Sequence, residues 1–158
     1  MLITIGQTIA ALAILANAVV YGTDISAAVI TRSALRHLDD ASVTKFAGWG
    51  HYYGDKRMPP FGAGGVIAVV LTLILAAVGG HIGAAVAAAI ALAALLTWLA
   101  CYALIAKPIN TAQTAAARSG VIPANARALQ NKWDTLLVAR VPLQVTALAA
   151  LCAALALF

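Results

Sequence analysis

At 158 residues, with 63% hydrophobic and 9% charged residues and a mean hydropathy of +0.96, the chain lies far from a soluble domain, where about a quarter of residues are charged. The formal net charge of +5 falls in the stretches between apolar runs, so nothing calls for a nucleic-acid partner. These figures point to an integral membrane protein, since a helix crosses a hydrocarbon core about 30 Å thick with roughly 20 apolar residues.

Four stretches reach that length, at about residues 2–31, 60–79, 82–106 and 135–158, and they predict one all-α transmembrane domain over residues 1–158. The first contains "LANA" at Leu15 to Ala18, which resembles the cleavage site of a signal peptide. No Lys or Arg precedes the apolar run and it continues past the supposed cut, so it reads as a span. Within it Asn17, Tyr21, Asp24 and Thr31 share one helical face at steps of four, three and seven. An acid in hydrocarbon is costly and is a functional candidate by default. Its possible partners are Arg32 at the boundary and an arginine from another helix.

The connection from Ser33 to Met58 is patterned. Phe46, Trp49 and Tyr53 recur at helical spacing, while His37, Asp40, Thr44, Gly48 and His51 form another stripe, which predicts a short amphipathic helix with its aromatics toward lipid or protein. It closes on "HYYGDKRMP" at His51 to Pro59, where the prolines end one helix and begin the next. His51 and Asp55 stand one turn apart and are weak candidates to share a proton or a metal ion.

A turn of two or three residues at Gly79 to His81 makes spans two and three an antiparallel hairpin. The Ala-rich run Gly83 to Leu95 permits close helix approach, and an up-down four-helix bundle is the simplest architecture. The third span closes at "KPIN", Lys107 to Asn110. The middle of the second connection, "RSGVIPANAR", reads as mobile surface, and the chain re-enters the membrane at "KWD". On the last span Trp133, Leu137, Arg140 and Gln144 share a face, which brings a cation to the depth of Asp24. Pairing would hold the acid ionised; burial without pairing would make it a candidate general base.

Arg32, Arg36, Lys45, Lys56 and Arg57 lie between spans one and two, and Lys107, Arg118, Arg127 and Lys132 between spans three and four. The positive-inside rule puts both long connections in the cytoplasm and both termini outside a bacterial-type plasma membrane, where the lipid bilayer is the first partner. Cys101 and Cys152 lie at different depths, too far apart for a disulfide, and are expected to be free and buried.

Taken together, "YGTD", "HYYGDKRMP", "KPIN" and the pair Trp133 and Arg140 resemble the four-span membrane proteins similar to fungal anthrone oxygenases, whose bacterial members were long listed as a domain of unknown function. The resemblance covers nearly the whole chain. It implies oxidation of an anthrone-like phenolic substrate by molecular oxygen without a conventional cofactor. Under it Asp24 or His51 is the base and Asn110 and Arg140 stabilise an enolate, with Asn17, Tyr21, Tyr53, Trp133 and Gln144 lining a small aromatic or amphipathic substrate. Asp24→Asn is then expected to abolish turnover without unfolding the chain. Two other readings compete: a proton-linked binding or transport protein, and an accessory subunit of a larger membrane complex or homo-oligomer.

Overall fold

A computed structural model describes residues 2–158, and among them every regular element is helical. In chain order these are α1 (Leu2–Ser26), a π-helical turn (Ala27–Thr31), α2 (Arg32–Leu35), α3 (Asp40–Arg57), α4 (Pro59–Val78), α5 (Ile82–Cys101), a second π turn (Tyr102–Ala106), α6 (Lys107–Ser119) and α7 (Ala126–Ala156). Joined end to end, they give four helices long and apolar enough to cross a membrane: Leu2–Leu35, Pro59–Val78, Ile82–Ser119 and Ala126–Ala156.

The third of these differs most from expectation. Its helix does not stop at "KPIN" but runs on to Ser119, so only residues 120–125 remain as a connection where a long mobile one was expected. Pro108 lies inside this continuous helix. A proline ring crowds the carbonyl four residues back and offers no N–H, but the π turn just before it widens the ladder, with Lys107 N–H bonded to Tyr102 O, so the helix passes the proline. The fourth helix likewise starts earlier than expected, at Ala126.

The chain divides into two compact units. The first comprises residues 1–22, 59–98 and 142–158 and is built on small residues. Ala13 of α1, Val69 of α4, Ala91, Ala94 and Leu95 of α5, and Ala147 and Leu151 of α7 form one buried core. Alanine at the contact lets helix axes approach closely, so the Ala-rich run of α5 works as packing surface. Within this unit Gly80 (φ 76°) turns α4 into α5. His81 N–H reaches back to Ala76 O and Gly80 N–H to Ala77 O, the paired bonds of a Schellman stop. Asn17 is buried against α4: a Cβ on Gly65 would stand 2.9 Å from Asn17 Nδ2. Gln144 is 1% exposed and its Oε1 has no hydrogen-bond partner.

The second unit comprises residues 23–58 and 99–141. Here α3 packs along α6. The expected amphipathic helix is present: Val43, Thr44, Ala47 and Gly48 face inward, which takes in only Thr44 and Gly48 of the polar stripe and leaves His37 and Asp40 exposed, while Phe46, Trp49 and Tyr53 are exposed as well. Asp39 caps α3 by accepting from Ser42 N–H at 2.6 Å, which satisfies one of the orphan donors of the first turn. A Cβ on Gly48 would collide with Gln113 O and with the Ala117 side chain, so only glycine fits this crossing. Arg127, from the start of α7, ties the α2–α3 corner. It donates to Leu35 O at 3.0 Å and Leu38 O at 2.8 Å and pairs with Asp40 at 2.8 Å.

Cys101 and Cys152 are both free, as expected, but neither is buried: Cys101 is half-buried and Cys152 exposed. Cys152 falls on the face of α7 away from Leu151 and Ala154, the positions that α7 buries.

Candidate functional site

The second unit gathers most of the polar residues singled out by the sequence. Asp24 ends the polar face of α1 and Arg140 lies in α7; they pair at 2.9 Å with side chains only 3% and 7% exposed. The alternative partner, Arg32, instead faces Asp134 at 4.0 Å. A buried pair of this kind is costly to desolvate but far costlier to break, because the survivor is left as an uncompensated charge. This changes the expectation for Asp24→Asn, which attacks the fold as well as any chemistry.

From Arg140 the contacts continue through an aromatic ring. Its guanidinium carbon stands 5.5 Å from the Trp133 ring centroid, within the range of a cation–π contact. Trp133 Nε1 donates to Asn110 Oδ1 at 3.1 Å, and Asn110 Nδ2 donates to Asp55 Oδ1 at 3.1 Å. Tyr102 OH donates to the same carboxylate oxygen at 2.7 Å. Five helical segments therefore contribute: α1, α3, the second π turn, α6 and α7. One π turn follows Asp24 by three residues and the other carries Tyr102. Such turns shift the register of the residues that follow, so a constant 3.6-residue period does not foresee where they point.

His51 lies against this chain, its ring centroid 5.2 Å from that of Trp133. Its Nε2 is shut away from solvent with no hydrogen-bond partner, and so is Gln113 Oε1. Burial pushes the His51 pKa down from 6.5 to about 4, reinforced by the positive charge of Arg140; Asp55 and the nearby Gln113 side chain oppose the shift without reversing it. The imidazole is therefore neutral at pH 7, and its Nε2 completes no hydrogen bond although the Gln113 side chain lies beside it. Asp55, the companion expected to share a proton or metal with it, is engaged by Tyr102 and Asn110. Among the described residues no group of three or more His, Cys, Asp or Glu side chains is placed to hold a metal ion.

Beside this cluster runs an amide ladder that the sequence reading missed. Gln113 Nε2 donates to Gln130 Oε1 at 3.0 Å, and Gln130 Nε2 donates to Asp134 Oδ1 at 2.8 Å. All three residues are buried. Gln113 and Gln130 lie in stretches taken for connection, which is why polar residues there drew no notice. Tyr102 had no role in the sequence reading.

Asp24, His51, Asn110, Arg140 and Trp133 thus belong to one assembly within the second unit. Tyr53 does not join it: it is on the outer side of α3, against Trp49 and Tyr52, with Arg57 over its ring at 4.7 Å. Asn17, Tyr21 and Gln144 belong to the first unit. No family model matches the chain, and none of the curated proteins or solved structures compared with it does either.

Proposed function

We propose that the protein is a multi-pass membrane enzyme that oxidises a flat phenolic substrate with molecular oxygen, with His51 as the proton acceptor. The observation that carries this reading is the neutral His51 ring: Nε2 is unpartnered and the ring rests on Trp133. Asp24, the other candidate base, is committed to Arg140. The motif resemblance described above supplies the reaction class.

An activated methylene between two aromatic rings gives up a proton to His51 Nε2, leaving an enolate. The positive charge of Arg140 and the second hydrogen of the Asn110 amide favour that anion, and Asp24 holds Arg140 in place. The enolate then reduces oxygen directly. One oxygen atom ends as the new carbonyl and the other leaves as water with the two methylene hydrogens, so four electrons pass from carbon to oxygen and no further reductant enters. Because burial disfavours the imidazolium, the proton moves on rather than resting on His51.

The membrane setting belongs to the same proposal. The four long apolar helices cross the bilayer in up-down order, with α3 on the cytoplasmic side as the distribution of Lys and Arg directs. The test is oxygen uptake by the detergent-purified protein with a hydroxylated anthrone, measured against heat-inactivated protein and His51→Gln. Uptake above the spontaneous rate, reduced about 100-fold or more in the variant as loss of a general base requires, is the expected result. Equal rates in all three samples would remove the oxygenase reading.

A further inference from the structure

Where α3 and α6 run side by side, a groove of about 320 Å³ opens, lined among others by Tyr52, Asp55, Lys56, Thr114 and Arg118. Two cations from different helices converge on one ring there. Lys56 Nζ stands 4.2 Å from the Tyr52 ring centroid and the Arg118 guanidinium carbon 5.6 Å from it. Neither cation pairs with a carboxylate among the described residues, whereas Arg32, Arg127 and Arg140 each do. Like charges brought to one ring repel unless an anion joins them.

The hydrogens fit the same conclusion. Lys56 donates to Tyr52 OH at 2.6 Å, so the phenol accepts there and its own O–H remains available as a donor. Thr114 Oγ1 is spent on Gly48 O, and in doing so holds the two helices at the width of the groove. The one acid in the lining, Asp55, accepts from Tyr102 and Asn110 through Oδ1. Three donors from two helices, two of them cationic, suit the tetrahedral oxygens of a phosphate. The exposed Phe46, Trp49 and Tyr53 on the same helix match the aromatic belt found at headgroup level.

We infer that the Tyr52, Lys56 and Arg118 groove binds a phosphate group, that of an anionic lipid headgroup. This inference does not depend on the oxygenase reading. The experiment follows the thermal unfolding of the detergent-solubilised protein with added short-chain phosphatidylglycerol, phosphatidylcholine or inorganic phosphate, together with Lys56→Gln, Arg118→Gln and the control Lys107→Gln. The expected result is saturable stabilisation by phosphatidylglycerol, with apparent affinity about tenfold weaker in either groove variant and unchanged in the control. Phosphatidylcholine and inorganic phosphate should give little. An equal response to inorganic phosphate would overturn the lipid source in favour of a soluble phosphate ester. Undiminished stabilisation by phosphatidylglycerol in both groove variants, each folded by circular dichroism, would overturn the site.

Discussion

At the scale of single residues, Asp24 and Arg140 define the electrostatics of the second unit, and their pairing makes a sharp forecast. Removing one partner leaves the other buried and unmatched, so Asp24→Asn should destabilise by about 3–5 kcal/mol, whereas Asp24→Leu with Arg140→Met should cost far less than the sum of the single changes. A double-mutant cycle followed by thermal unfolding checks this, and additive losses would deny the pair. His51 has a pH signature. Its folded pKa of about 4 lies below the unfolded value of 6.5, so between those values the unfolded chain binds more protons than the folded one. Stability therefore rises with pH from 4 to 6.5 and is lost as pH falls through that window, by roughly 3 kcal/mol for this group. In His51→Gln that part of the pH dependence should vanish. Asp24 and Arg140 themselves were legible in the sequence because charge within an apolar run is conspicuous. Which arginine would meet Asp24 was not, since that choice depends on the rotation of separate helices.

At the scale of elements, the α3–α6 contact positions Asp55 against Asn110. It tolerates no side chain at Gly48, where a Cβ would meet the Gln113 carbonyl. Gly48→Ala should therefore force the helices apart, destabilising by about 1–3 kcal/mol as overpacking does, although alanine is the better helix former. A rise in stability would mean that the crossing is looser than described. The amphipathic character of α3 was readable from its two stripes, but not that its buried face would be Val43, Thr44, Ala47 and Gly48. Bulky aromatics suggest a core in a soluble protein, yet here they lie outside and Gly48 and Thr44 lie inside, because close helix packing selects small residues. Helix α6 was hidden for a different reason. Pro108 and a polar composition are stop signals in local reading, and the π turn that neutralises the proline has no sequence mark.

Over the whole molecule, apolar content and the placement of cations carry the proposed topology. The Ile82–Ser119 helix has 38 residues, or about 57 Å at the α-helical rise, nearly twice the hydrocarbon thickness. In the proposed membrane setting one end stands beyond it, and the polar end is α6. With Cys101 and Cys152 replaced by alanine, a cysteine at His81 should react with a membrane-impermeant thiol reagent from outside intact cells. One at Asn125 should react only after permeabilisation; the reverse pattern would invert the orientation. Span number was legible because hydrophobic length is a property of sequence alone, whereas the division into two compact units depends on side-chain packing and left no trace in composition.

The role of His51 as base is tested most directly without oxygen, by following the loss of deuterium from a methylene-labelled hydroxylated anthrone in ordinary water under anaerobic conditions. The native protein should wash the label out faster than the uncatalysed rate, and His51→Gln, folded by circular dichroism, should return to that rate. Washout by the variant as fast as by the native protein would contradict His51 as the proton acceptor.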